Sequence, residues 1–224
     1  MKKVMKAVAA IMLMTAVVFA ARCTKPEPSS GSYNGHDYVD LDLPSGTLWA
    51  TCNVGATTPE GYGDYFAWGE TEPKTAYDWS NYKYCHDGHY NQLTKYCNGS
   101  NAGYNGFTDN LTVLQPGDDA ATANWGDGWC TPTKAQWDEL WVNTTCTSTT
   151  QNGVSGRLFT ASNGNTLFLP AASSDAESGT YWSGSLQTQS PISAWYFSFY
   201  SGGCAMGSIE RYRGYSVRPI RSAN

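Results

Sequence analysis

Hydrophobic and polar residues alternate most regularly near the end of the chain, between residues 194 and 200. Every second position of this stretch carries a large aromatic residue, at Trp195, Phe197 and Phe199. Because successive side chains of a strand point to opposite faces, the pattern predicts a strand with a buried aromatic face. Its predicted exposed face carries the residues in between, which are Tyr196, Ser198 and Tyr200. Residues 203 to 209 show no such periodicity and are predicted to form an irregular loop.

Other segments predict further strands and turns. The predicted strands are residues 38–43, 47–51, 157–160, 166–169, 181–183 and 215–220. The turn Pro44-Ser45-Gly46 joins the first two as a hairpin, and residues 162–165 join the next two. Residues 71–109 are polar and rich in Gly, Asn and Tyr, so they are predicted to be a surface insertion with little regular structure.

One helix is predicted with clear boundary signals. Thr133 and Gln136 form a capping box, in which each side chain satisfies a backbone amide of the first turn. The predicted buried stripe comprises the residues at i, i+3 and i+4, which are Trp137, Leu140 and Trp141. A second, short helix is predicted at residues 58–60, where a proline suits the first turn.

Together these elements predict an α+β fold that is mostly antiparallel β, with one or two helices and long loops. We expect a single domain over residues 36–224, because a chain of this length can bury one sizeable core.

The chain begins like an export signal. Three lysines within the first six residues precede an apolar run too short to span a membrane, so residues 1–22 are predicted to be a signal peptide. Residues 23–35 are predicted to be a flexible tether. Lipidation of Cys23 would anchor the protein at the outer membrane or cell surface, although Arg22 stands where lipoprotein signals carry a small residue. Cleavage after Ala21 would instead give a periplasmic or secreted protein.

Charge excludes two classes of partner. The net charge is −5, and it falls to −9 once the four basic residues of the signal are removed. Such a balance opposes binding to nucleic acid or to an anionic membrane surface. We therefore expect no nucleic-acid partner, and membrane contact only through a lipid anchor.

Six cysteines follow Cys23, and an exported protein can oxidise such residues to disulfides. Cys85 and Cys97 flank a turn-rich stretch and are predicted to be the closest pair. At least two of the six are expected to be buried thiols without a redox role.

Several strings resemble known families. Residues 128–140 are similar to the Trp-Arg-Leu-Pro-Thr helix start of proteins related to formylglycine-generating enzyme, and Ser216-Val217-Arg218-Pro219-Ile220-Arg221 is similar to their last strand. Residues 38–56 and 61–70 more closely resemble the Fibrobacter succinogenes major paralogous domain, which occurs in exported lipoproteins of Bacteroidetes. The resemblance covers nearly all of residues 38–221 and implies a C-type-lectin-like fold.

The C-terminal frame also resembles the variable proteins of diversity-generating retroelements, in which a reverse transcriptase randomises adenine-bearing codons. This resemblance implies a variable ligand-binding surface. The predicted ligand-binding residues are Ser183, Ser185, Tyr196, Ser198, Tyr200, Ala205, Gly207, Ser208, Ile209, Tyr212 and Tyr215. Trp195 and Met206 cannot arise from a randomised asparagine codon and belong to the predicted frame. A nearby non-coding copy of this region that differs only at adenines would establish diversification.

Catalytic and metal chemistry have little support. His86 and His89 lack a third ligand, so a solvated pair is favoured over a metal clip. Asp118 and Asp119 suit calcium, yet the tripeptides with which lectins bind calcium and sugar are absent. No catalytic residue, metal site or cofactor is predicted.

The sequence therefore predicts an exported binding protein whose ligand is an unknown protein or glycan at the cell surface. Two alternatives stay open. One is an enzyme of the formylglycine-generating superfamily fold with unrecognised chemistry, and the other is a static structural envelope protein.

Overall fold

The computed structural model describes residues 30–171 and 178–222. The strands are β1 (Ser30–Tyr33), β2 (His36–Asp40), β3 (Thr47–Ala50), β4 (Tyr65–Phe66), β5 (Thr144–Gln151), β6 (Val154–Ala161), β7 (Thr166–Pro170), β8 (Gly179–Leu186), β9 (Ser193–Tyr200), β10 (Gly203–Glu210), β11 (Tyr215–Ser216) and β12 (Ile220–Ser222). The helices are α1 (Ala120–Trp125) and α2 (Lys134–Asn143). The predicted signal peptide and the lipidation site Cys23 lie outside the described residues.

The strands form three sheets, with orders β1-β2-β3-β12, β10-β9-β8-β11-β4 and β5-β6-β7. Pairing is antiparallel except between β8 and β11. The chain thus has the predicted α+β class, mostly antiparallel, with two helices and long loops. Within the described residues, no helix has the length and hydrophobicity needed to cross a bilayer.

The first hydrophobic core lies between α2, the five-stranded sheet and the three-stranded sheet. The ring of Trp137 stacks on Phe197 with 4.7 Å between centroids, and Phe159 lies against the same Phe197 ring at 6.0 Å. Leu140 and Leu169 are fully buried in the same cluster. Aromatic packing of this kind supplies much of the burial that holds sheet to helix.

The second core lies on the other face of the five-stranded sheet. It contains Trp68, Trp129 and Trp182, and much of it comes from the irregular segment after β4. That segment has little regular structure, as predicted, apart from single 3-10 turns at Trp79–Asn81 and Tyr104–Gly106. The prediction of a surface insertion is wrong, however, because Tyr82, Tyr84 and Tyr96 of this segment are buried in this core.

The predicted start of the helix is confirmed, but the predicted set of buried residues is partly wrong. Thr133 and Gln136 make the predicted capping box at the start of α2. Trp137 and Leu140 are buried, but Trp141 is 41% exposed and does not belong to the buried stripe. Residues 58–60 form a turn rather than the predicted helix.

Both predicted hairpins are confirmed, as β2–β3 and β6–β7. Three other strands correct the prediction. β1 pairs with β2, so residues 30–35, which were predicted to be tether, belong to this strand pair and its turn. β5 pairs with β6 along its full length despite a sequence of threonines and serines. β10 occupies the stretch that was predicted to be an irregular loop.

The cysteine prediction is also corrected. All six described cysteines are free thiols. The Cys85 thiol lies 2.9 Å from the His89 carbonyl, and the Cys97 thiol lies 3.1 Å from the Gly99 carbonyl. Neither contacts the other in the described structure. The two sulfurs that do meet belong to Cys146 and Cys204.

Candidate ligand-binding surface

The pairing register of β9 with β10 sorts the predicted ligand-binding residues onto two faces. Directly opposite residues of an antiparallel pair point to the same side. One face, here called the outer face, carries four such pairs: Tyr196 with Gly207, Ser198 with Ala205, Tyr200 with Gly203, and Ala194 with Ile209. The inner face carries Phe197 with Met206 and Phe199 with Cys204, all packed against the first core.

The outer face is open at one end. Tyr200 is 48% exposed, Ala205 is exposed, and Ser198 between β8 and β10 is half-buried. Thr180 of β8 lies directly opposite Ser198 and extends this open part of the surface. A strand pair with small residues between larger ones leaves room for a ligand to reach the sheet.

The other end of the outer face is covered by aromatic rings. Tyr196 and Tyr215 are half-buried and contact each other, with 5.7 Å between centroids, and Trp182 packs on Tyr215 at 4.8 Å. Burial raises the pKa of Tyr215, and the nearby Tyr196 hydroxyl acts in the same direction. The half-buried Tyr212 packs on Trp79 at 5.1 Å. These tyrosines are therefore held in place by the second core while part of each ring stays accessible.

Gly207 permits the close approach of Tyr196. A Cβ atom at this position would lie 2.5 Å from the Tyr196 hydroxyl, so any other residue would displace the ring. The contact is with the far end of the Tyr196 side chain, so a larger residue at position 207 would displace this ring rather than backbone. The residue at position 207 thereby sets the orientation of Tyr196 on the outer face.

Besides the tyrosines of the covered end and Gly207, four more of the predicted ligand-binding residues lie off the open part of the outer face. Ser183 is fully buried, and Ser185 accepts a hydrogen bond from the Lys134 amide at the start of α2. Ser208 lies opposite Trp195 on the inner face. Ile209 packs against the second core.

The sequence also predicts that Trp182, together with Trp195, Phe197 and Phe199, lies beneath this surface, and two of these four residues lie elsewhere. Trp182 lies on the outer face, opposite Tyr196, rather than beneath it. Trp195 is half-buried at the edge of the inner face, where the Lys134 ammonium lies 5.1 Å from its ring. The rigid layer is formed by Phe197, Phe199 and Tyr181 instead.

Two buried arginines link segments that are distant in sequence, and the sequence analysis did not predict this structural role. Arg218 donates to the Asn53 side chain at 2.7 Å and to three backbone carbonyls. Arg211 donates to the carbonyls of Lys95 and Tyr96 and lies 5.5 Å from the Trp68 ring. The partners of both arginines are at least 50 residues away in the sequence, so no local pattern could predict these contacts.

The two acidic residues considered for calcium are already engaged. Asp118 accepts hydrogen bonds from Tyr84, Tyr96 and Lys95. Burial would raise the pKa of Asp118, but these hydrogen bonds outweigh it and lower the pKa from 3.8 to about 2. Asp119 accepts from the Thr131 hydroxyl at 2.7 Å and caps α1.

Replacement Asp118→Asn is expected to lower the free energy of unfolding at pH 7 by about 2 kcal/mol. Because the folded pKa lies below the unfolded pKa, this contribution is present above pH ~4 and is lost as the pH falls through about 2. Urea unfolding at pH 7 and pH 2 measures it: the difference between wild type and variant should shrink at the lower pH. Asp87→Asn removes an exposed carboxylate and is the control. An equal pH dependence in both variants would contradict the assignment.

The histidine pair has ordinary surroundings. His86 stacks on Tyr104 with 3.9 Å between centroids and lies 3.1 Å from the Asp87 carboxylate. Among the described residues, no three His, Cys, Asp or Glu side chains cluster closely enough to hold a metal ion.

Comparison with known proteins identifies no relative: no protein-family model, no curated protein and no solved structure shows significant similarity to the chain.

Proposed function

We propose that this chain is an exported binding protein that recognises another protein through the outer face of β8, β9 and β10. The proposal rests chiefly on one observation. Tyr200, Ser198 and Ala205 lie side by side on an accessible sheet face whose opposite side is fixed by a packed aromatic core. Because the strands of this face are already fixed, little further ordering of the backbone is needed when a ligand binds.

The composition of the face supports a protein ligand. Tyrosine offers a large apolar ring and a hydroxyl with only two rotatable side-chain bonds, while serine and glycine adapt around it. Tyr196, Tyr200 and Tyr215 supply the rings, and Ser198 and Gly207 supply the space between them. Rigid mounting lowers the entropic cost of association.

A C-type-lectin-like fold and diversification by a retroelement belong to the same proposal. Of the predicted variable positions on β9 and β10, all but Ser208 point to the outer face. Trp195 and Met206, which a randomised asparagine codon cannot produce, point to the inner face. A mechanism that varies the outer-face residues and spares the inner-face residues would change the ligand without disturbing the first core.

Binding is tested with the double variant Tyr200→Ser and Ala205→Arg. It removes an exposed ring and adds a bulky charge where the outer face is open. Wild type and variant are screened on the same array of defined glycans and purified cell-surface protein ectodomains. For any protein that binds wild type, we expect the variant to bind at least about 30-fold more weakly, which corresponds to the loss of a hot spot.

The matched control is Trp141→Ala with Val142→Ala. These residues are 41% and 76% exposed on α2, so the control removes a similar exposed apolar area elsewhere. Equal binding by wild type and the outer-face variant, or equal loss in the control, would refute the proposal. If only a glycan bound, and bound through the outer face, the proposed binding surface would stand but the ligand would not be a protein.

A further inference from the structure

Two cysteines distant in sequence meet between two sheets. Cys146 of β5 and Cys204 of β10 are 58 residues apart, and their sulfur atoms lie 3.4 Å from each other. Both side chains are half-buried and pack against the first core. β5 belongs to the three-stranded sheet, whereas β10 is the edge strand of the five-stranded sheet.

We propose that Cys146 and Cys204 are the site of a disulfide that joins these two sheets. The sulfur atoms are already in contact, so the bond needs only a small approach of the two side chains. It would close a long loop between the sheets, which is the arrangement in which a crosslink restricts the unfolded chain most.

Three of the four remaining described cysteines have other neighbours. Cys85 and Cys97 contact backbone carbonyls, as above, and Cys52 lies 3.7 Å from the Thr51 hydroxyl. Among the described residues, Cys146 and Cys204 alone are in thiol–thiol contact. The geometry therefore selects one pair out of the many that six cysteines allow.

The surroundings assign a role to each sulfur. A hydrogen bond from the Cys204 thiol lowers the pKa of Cys146, and the Arg157 guanidinium acts in the same direction against burial. Holding the shared proton raises the pKa of Cys204. Since the thiolate is the attacking species, Cys146 reacts first and Cys204 resolves the intermediate.

The oxidant is a disulfide, either oxidised glutathione or an oxidised thiol–disulfide oxidoreductase of the export compartment. The Cys146 thiolate attacks one of its sulfurs and releases the other as a thiolate. Cys204 then gives up its proton and attacks the Cys146 sulfur of the mixed disulfide, and the remainder of the oxidant leaves as its second thiol. Two protein thiols are oxidised to one disulfide, and one disulfide is reduced to two thiols.

The bond would act on the strand pair that carries the outer face. Arg157 also donates to the Tyr200 carbonyl at the turn between β9 and β10. Cys204 lies opposite Phe199, next to this turn. A disulfide at Cys204 would therefore attach the same hairpin covalently to β5. The crosslink does not depend on the proposed ligand, because it can be detected in the protein without one.

The test uses the full chain, reduced, purified and then equilibrated with oxidised glutathione. Free thiols are blocked with iodoacetamide, and the digest is analysed by mass spectrometry without reduction. We expect a linked pair of peptides containing Cys146 and Cys204, with Cys85 and Cys97 alkylated. The melting temperature of the oxidised wild type should exceed that of the reduced wild type by roughly 5–15 °C.

Variants separate the pair from other thiols. Cys146→Ser should leave Cys204 open to alkylation and abolish the shift in melting temperature, whereas Cys52→Ser should keep both the linked peptides and the shift. Should Cys146→Ser fail to fold, the oxidised and reduced wild type still provide the comparison. Alkylation of both cysteines after oxidation, or a link from either of them to a different cysteine, would overturn the proposal.

Discussion

Replacement of Trp137 by alanine is expected to lower the free energy of unfolding by about 4 kcal/mol. Trp137 is fully buried in the first core, stacks on Phe197, and contacts the rings of Trp49 and Tyr181. Its indole N–H also donates to the Trp182 carbonyl at 3.2 Å. The substitution therefore removes apolar burial, leaves a cavity, and orphans a buried acceptor. Urea unfolding followed by far-UV circular dichroism measures the loss.

The same helix supplies the control for this prediction. Trp141 is one turn further along α2 and is 41% exposed, so Trp141→Ala should change the free energy of unfolding by no more than about 0.5 kcal/mol. Equal losses in the two variants would mean that α2 does not dock on the sheet through Trp137. The proposed rigid layer behind the outer face would then lack its support.

The sequence analysis correctly predicted the elements whose structure depends on residues close together in the chain. The capping box of α2 and the tight turns of both hairpins depend on residues a few positions apart. The helix face was harder to predict, because helical spacing places Trp141 near Trp137 but cannot show where the sheet ends. α1 was missed for a different reason: Ala120–Trp125 is only six residues long, and its buried residues Ala120, Ala121 and Trp125 are too few to define a helical pattern.

β10 shows why the candidate surface was only partly predicted. Its inward positions, Cys204 and Met206, do alternate with outward ones, but both are modest hydrophobes among glycine and serine. As an edge strand, β10 is held by backbone pairing with β9, which requires no strong pattern. The outward positions of Ser198 and Tyr200 follow from alternation along β9, whereas that of Ala205 follows only from the pairing of β10 with β9. The burial of Tyr196 and Tyr215 depends on their contact with each other and on Trp182, which lies on another strand.

Replacement of Arg218 by methionine is expected to lower the free energy of unfolding by about 3–5 kcal/mol. Removal of a buried charge relieves a desolvation cost, which favours the variant. Against this, the guanidinium donates to the Asn53 side chain and to the carbonyls of Ala50, Thr51 and Phe168. Loss of the donor to these four acceptors, three of them buried, outweighs the relief, since each buried acceptor left unpaired costs about 1–3 kcal/mol.

A lysine at position 218 separates charge from geometry. Its ammonium keeps the positive charge but cannot reproduce the planar fork of the guanidinium, so Arg218→Lys should recover only part of the loss. Arg213→Met is the control, because Arg213 is exposed and pairs with Glu210 at 3.7 Å, and it should change stability by less than about 0.5 kcal/mol. Thermal and urea unfolding of the three variants measure the order of their stabilities. If Arg218→Met were as stable as wild type, the contacts between the loop after β3, the end of β7 and the C-terminal strand would have to be held by apolar packing alone.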